Sequence, residues 1–149
     1  FIMPYYEYIK DYDKKRQALI LAIGRQESRF IPTAVSTSYA LGMMQFMPFV
    51  ANHIAKKELK LEKFDQDDMF EPKTAYFFAN HHLNYLEKEL KSPVLISYAY
   101  NGGIGSVTNW FSKLIYNDTD EFVEQIPYPE TRNYVKKVLR TYWVYGNVY

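Results

Sequence analysis

The chain has 149 residues, 48% hydrophobic and 23% charged, proportions that exclude a disordered chain and suit one globular domain with a real core. Its formal net charge of +1 offers no basic stripe to neutralise phosphates, which argues against a nucleic-acid partner. The absence of cysteine excludes disulfides and Cys-based zinc sites, and no apolar run reaches the length of a membrane span.

Tyrosine is over-supplied, with 15 copies beside 10 Phe and 2 Trp; such flat amphipathic rings stack on sugar faces and equally fill cores. The opening Phe1-Ile2-Met3-Pro4-Tyr5 has neither a basic leader nor an apolar h-region, so it is not read as a signal peptide. Without an initiator at position 1, the chain is expected to be a mature fragment or one domain of a longer protein.

Helical patterning dominates. Ala18, Leu19, Leu21, Ala22 and Ile23 predict an apolar helix over about 15–28. Pro32 breaks the chain, and the polar stretch Thr33 to Ser38 reads as a loop. A second helix is predicted over about 48–59, with Pro48 suited to its first turn. Asp65-Gln66-Asp67-Asp68 reads as an acidic loop or helix start. A long helix follows over about 73–90, carrying Phe77, Phe78, Leu83 and Leu86. Pro93 opens another through about Tyr98, broken by Asn101-Gly102-Gly103. Further helices are predicted over 105–114, briefly over 118–123, and over 130–145 with Gly146 as terminator. Strand signals are weak, so the expected fold is mostly α, in one domain.

Chemistry is most legible in Arg25-Gln26-Glu27-Ser28-Arg29. Glu27 falls at the C-terminal end of an apolar helix, where the dipole and the apolar neighbours both disfavour a negative charge. Both effects raise its pKa toward what a general acid near neutral pH requires. Arg25 and Arg29 would pull the other way if they approached. On spacing alone, an ordinary helix-end carboxylate is the favoured reading, because strongly perturbed carboxylates are few.

Four blocks occur in order: Glu27-Ser28 followed by Ser36; Gly42-Met43-Met44-Gln45-Phe46-Met47-Pro48; Ser97-Tyr98-Ala99-Tyr100-Asn101-Gly102-Gly103-Ile104-Gly105; and Ile126-Pro127-Tyr128-Pro129-Glu130-Thr131-Arg132-Asn133-Tyr134-Val135. In order and spacing they resemble the soluble lytic transglycosylases of the Slt type, across about residues 5–145. The resemblance implies a lysozyme-like, mostly helical catalytic domain spanning 1–149, the C-terminal domain of a longer protein, with a deep groove for a peptidoglycan glycan strand. It implies cleavage of the β-1,4 bond between N-acetylmuramic acid and N-acetylglucosamine without added water. Glu27 would protonate the bridging oxygen, then take the proton of the muramyl C6 hydroxyl as that hydroxyl attacks C1 and closes a 1,6-anhydro ring.

By the same resemblance Ser36 contacts the N-acetyl side of the muramyl ring, a loop or cap serine being the plain alternative. Gln45 serves as a hydrogen-bond donor and Met47 as apolar packing in the groove, while Met43 and Met44 are assigned to the core. Ala99 and Tyr100 lie beside the acid, and Tyr100 either hydrogen-bonds Glu27 or stabilises positive charge at C1. Asn101 orders its loop, Gly102 and Gly103 admit backbone close to substrate, and Glu130 binds polar groups at the far wall, or serves as a helix N-terminal carboxylate. Ala75 and Ala79 stand where the family carries Asn and Gly, Gly102 where it carries Ala, and Met43 where it carries Leu. Glycosidases usually need two carboxylates; no other Asp or Glu occurs between Glu27 and Pro48, which suits a single-carboxylate mechanism assisted by the substrate's N-acetyl group, the alternative being a second carboxylate brought to the cleft from Asp65, Asp67, Asp68 or Glu130.

No metal or cofactor is expected. His81 and His82 are adjacent, so their rings diverge on a helix, and Asp65 to Asp68 lacks the Gly and distal Glu of a calcium loop. A periplasmic monomer is expected, with cell-wall synthesis or secretion machinery as candidate partners. The rival readings are a hydrolytic muramidase of the lysozyme kind and a non-catalytic wall-binding domain.

Overall fold

Burial of one helix organises the molecule. In the computed structural model, which describes residues 1–112 and 123–147, helix α1 (Lys14–Ser28) is buried from Arg16 through Gly24 without a polar face. A helix apolar all round belongs in a core rather than on a surface. Asp13 starts it by accepting a hydrogen bond from the Arg16 amide at 2.9 Å, and Arg29, in the left-handed region at φ 54°, ends it.

The remaining helices are α2 (Pro48–His53), α3 (Pro72–Leu90), α4 (Pro93–Gly102), α5 (Ile104–Phe111) and α6 (Pro129–Asn147). α6 lies along α1 and against α4, and α4 in turn contacts α3 and α5. No strand occurs among the described residues, only two isolated antiparallel bridges, Val35 to Leu41 and Leu41 to Phe46. The expected mostly helical fold is therefore borne out.

Boundaries differ from the sequence reading at informative places. The helix expected over 48–59 splits: α2 passes into a π-helical turn, Ile54–Glu58. α4 continues through Asn101 and breaks only at Gly103, whose φ of 89° suits glycine. α6 does not stop at Gly146 but runs to Asn147, and a Cβ at 146 would meet that of Ala18 at an ordinary contact distance of 4.0 Å. The predicted segment 118–123 lies outside the described residues except for Val123, as do the last two positions of the helix predicted over 105–114. Asp65 to Asp68 belongs to a 3-10 turn (Gln66–Phe70), where Asp65 and Asp68 form a reciprocal capping box. Ala75 and Ala79 are buried, as are Met43 and Met44.

One cation lies deep in the fold. Arg16, 8% exposed, donates from Nη1 to the Asn80 carbonyl (3.1 Å), Asn80 Oδ1 (2.7 Å) and Asn84 Oδ1 (2.6 Å), and from Nη2 to Glu87 Oε2 (2.6 Å). This fork ties α1 to α3 by charge-assisted hydrogen bonds from a buried guanidinium to acceptors at the half-buried Asn80 and the exposed Asn84 and Glu87. Arg16→Leu is expected to lower unfolding free energy by about 2–4 kcal/mol. Glu87→Gln, at an exposed partner, should lower it by less than about 1 kcal/mol. Urea denaturation of both variants measures the difference.

Candidate active site

Glu27 occupies the last turn of α1, and the burial of that helix delivers its carboxyl into an apolar setting. Tyr134 of α6 donates its hydroxyl to Glu27 Oε2 at 2.9 Å. Burial raises the pKa of Glu27 to about 7, while the Tyr134 hydrogen bond opposes the rise; desolvation of the charged form thus outweighs a bond that favours it. Neither flanking arginine neutralises the carboxyl. The Arg25 guanidinium lies over the Phe1 ring, 4.3 Å from its centroid, and Arg29 is exposed. At neutral pH the site therefore holds a carboxyl poised between its two forms, as acid–base work requires.

The loop following α1 is fastened by backbone carbonyls. Ser28 Oγ donates to the Met43 carbonyl at 2.8 Å, and Tyr100 donates its hydroxyl to the Met44 carbonyl at 2.8 Å. Gly42 (φ 78°) passes under the next segment so closely that a Cβ there would lie 2.0 Å from the Met69 carbonyl oxygen, a position only glycine can hold. The loop delivers Gln45, Phe46 and Met47 to a cavity of about 270 Å³, closed on its other side by His82, Tyr85, Ala99, Tyr100 and Asn101.

Five of the expected residues thus meet: Gln45, Met47, Ala99, Tyr100 and Asn101. Glu27 does not line this cavity but lies close to Tyr100, whose hydroxyl its charge holds further toward the neutral form. Ser36 and Glu130 are absent from the lining. Ser36 Oγ accepts from the Ser38 and Ala40 amides (3.2 and 3.0 Å), the loop-cap role. Glu130 is exposed in the first turn of α6.

Two expectations need correction. Tyr100 does not hydrogen-bond Glu27, because its proton is committed to Met44; Tyr134 fills that role. Gln45, at φ 53°, spends its Nε2 on the Gly42 and Ala34 carbonyls (2.9 and 3.3 Å), so its donor shapes the loop rather than facing the cavity. Asn101 accepts from Thr131 Oγ1 at 2.8 Å, which ties α4 to α6. The histidines diverge: His81 Nε2 lies 2.7 Å from Glu58 Oε1, while His82 turns into the cavity wall. Sequence reasoning assigned no role to Tyr134 or His82. The signal for Tyr134 was its place in the fourth block; His82 had none beyond an amphipathic position on α3.

A mostly helical domain with a buried, half-titrated acid beside an aromatic cavity defines a class, and comparison with known proteins gives it a family. Residues 5–123 match the Transglycosylase SLT domain, and the chain belongs to that family. The soluble lytic murein transglycosylase of Escherichia coli K12 is 33% identical over 144 residues, which cover 93% of this chain and 22% of the relative. The structure of the lytic transglycosylase Slt from Pseudomonas aeruginosa, an inactive mutant, superposes with a TM-score of 0.89 at 30% identity, covering 99% of this chain and 25% of that one. The 70 kDa soluble lytic transglycosylase from Escherichia coli gives a TM-score of 0.87 at 32% identity, again over 99% and 25%. The chain thus spans about a fifth to a quarter of the length of these relatives.

The bond between Tyr134 and Glu27 stabilises the carboxylate, so removing it favours the protonated acid. Tyr134→Phe is expected to move the Glu27 midpoint upward from about 7. NMR titration of the side-chain carboxyl carbon reads this directly; a downward or absent shift would contradict the assigned hydrogen bond.

Proposed function

We propose that this domain cleaves the β-1,4 bond between N-acetylmuramic acid and N-acetylglucosamine in peptidoglycan without adding water, leaving a 1,6-anhydro-muramic acid end. The observation that carries this reading is the buried Glu27 carboxyl, held near a pKa of about 7 by burial, in a chain of the SLT family.

Glu27, protonated, gives its proton to the bridging oxygen as the C1–O bond breaks and C1 takes on oxocarbenium character. The carboxylate left behind accepts the proton of the C6 hydroxyl while that oxygen bonds to C1. The proton returns to Glu27, water is neither consumed nor released, and the enzyme is regenerated in one cycle. A pKa near neutrality serves both halves, since the group must give and take the same proton. Tyr134 keeps the carboxyl oriented through both forms. Tyr100 contributes its phenolic oxygen beside C1, and Asn101, whose Oδ1 is engaged by Thr131, keeps its Nδ2 for the sugar. Gln45 Oε1, Met47 and Ala99 flank the saccharide. Ser36 and Glu130 contact it outside the cavity, at the acetamido group and at the far wall of a groove deeper than the cavity itself.

Support for a single-carboxylate route comes from where the other acids lie. Glu58 is engaged by His81 and His53, Asp65 and Asp68 cap their own turn, and Glu130 is exposed. None of these is in a hydrogen bond with Glu27 or a residue of the Gln45–Tyr100 cavity. The reading places the domain in the bacterial periplasm, where its substrate lies, working as a monomer.

Mass spectrometry of products from purified peptidoglycan tests the proposal. Wild-type protein should release muropeptides one water lighter than hydrolytic products. Glu27→Gln should lower the rate by about 10²–10⁴-fold. Reducing-end products would make the protein a muramidase instead, and undiminished turnover by Glu27→Gln would remove the assigned acid. With Glu27 as the acid, activity should also fall as pH rises through about 7. Stability carries the same sign: a carboxyl whose folded pKa exceeds its unfolded value stabilises the fold at low pH and loses that contribution as pH rises through the folded value. Glu27→Gln should therefore gain stability relative to wild type between pH 5 and pH 8, measured as a difference in Tm.

A further inference from the structure

The cavity beside Tyr100 does not end at His82. A second compartment of about 590 Å³, lined by Phe49, Val50, His53, Ile54, Glu58, His82 and Tyr85, shares Val50, His82 and Tyr85 with the first. His82 is thus part of the partition between them.

The imidazole is set among rings. It meets Phe46 and Tyr100 edge to face, each with centroids 5.9 Å apart, and Tyr85 at 6.3 Å and 25°. These contacts would suit a phenyl ring as well. What a phenyl ring lacks is two nitrogens, and here they have a cost: burial pushes the His82 pKa below the ordinary imidazole value. Among the described residues no protein group hydrogen-bonds either nitrogen, whereas the neighbouring His81 is paired with Glu58. Among the described residues no buried polar side-chain atom is left unsatisfied, so the His82 nitrogens are open to the cavity rather than sealed in the core. A neutral imidazole carries one donor and one acceptor, and half-buried polar groups without a protein partner find one in solvent or ligand.

We propose that a saccharide strand runs through both compartments and that His82, at their partition, hydrogen-bonds a hydroxyl or acetamido group of the sugar seated there. The chemistry matches on both sides. Sugar hydroxyl and acetamide groups donate and accept as the imidazole does, and the apolar faces of a pyranose lie against the edges of Tyr85 and Phe49, which are 46% and 70% exposed. Protonation of His82 removes its acceptor, so affinity falls with pH on its account. The other titratable or charged groups around this ring are Glu58 and His53 from the α2 side, His81 and Tyr85 on α3, Tyr100 on α4, and Glu27 beyond Tyr100.

This inference rests on the glycan-cleaving reading for its ligand, and the test separates the two. Binding of a β-1,4-linked N-acetylglucosamine oligomer is measured calorimetrically in a Glu27→Gln background, which prevents turnover and removes the titration of Glu27. Adding His82→Phe, which keeps the ring shape, should weaken binding by about tenfold. Adding His82→Gln, which keeps a donor and an acceptor, should weaken it by less than about threefold. The background protein should lose affinity between pH 8 and pH 5 more steeply than the Phe variant does. Equal affinity of the Phe variant, equal losses in both variants, or a pH dependence unchanged by His82→Phe would each overturn the assignment. The last of these would assign the titration to Glu58, His53 and His81. Product chemistry of the wild-type protein, read separately, decides the cleavage reaction whatever the binding constants are.

Discussion

The burial of α1 from Arg16 through Gly24 is the constraint from which the rest follows. A helix enclosed by α3 and α6 cannot leave a charge unattended within its span, and the chain answers differently at its two ends. Near the start, the Arg16 guanidinium donates to acceptors from Asn80, Asn84 and Glu87. At the far end, Glu27 receives one phenolic hydrogen bond and no cation. A single donor does not replace the lost hydration of a carboxylate. The protonated form is favoured as a direct result. The same packing that stabilises the domain raises the pKa of this carboxyl.

Glu27 is also coupled to its surroundings through neighbours in both sequence and space. The adjacent Ser28 fastens the loop that carries Gln45, Phe46 and Met47, and Tyr100 fastens it from the opposite wall. Thr131 and Tyr134, three residues apart on α6, reach Asn101 and Glu27 respectively. Positions three apart lie on one helical face, so a single face of α6 holds both the acid and the end of α4. The acid, the cavity wall and the loop are thus fixed relative to one another by four side chains rather than by a sheet or a metal.

Much of this was legible in the sequence. Apolar periodicity located α1 and α3 almost to the residue, because both bury strong apolar runs, and proline placed the starts of α2 and α4. Glu27, Tyr100, Asn101 and Gln45 were singled out through motif order. Their partners were not, because hydrogen bonds between residues 107 or 56 positions apart leave no trace in local pattern. Tyr134 sits at a helical core position where any large apolar residue satisfies the periodicity; only the location of its hydroxyl in three dimensions reveals a use. The π-turn after α2 escaped for a similar reason. Its residues have ordinary helical propensity, and what the extra residue in the turn achieves, the presentation of Glu58 to His81, depends on the facing helix. Gly146 was read as a terminator, but the packing of α6 along α1 carries the helix past it, since a glycine's helix-ending tendency is local and tertiary contacts override it.

The way the loop is gripped has a consequence for divergence among related chains. Ser28 and Tyr100 hold the peptide carbonyls of Met43 and Met44, groups that every amino acid possesses. The side chains at those two positions answer only to the volume of the core. They are free to drift among apolar residues of similar size without moving the cavity wall, as a mild exchange of leucine for methionine would. The positions that cannot drift are the two hydroxyl donors and Gly42, pressed beneath the Met69 carbonyl. Comparisons of such sequences should find variability and invariance side by side in this one short loop, sorted by whether a residue contributes its backbone or its side chain.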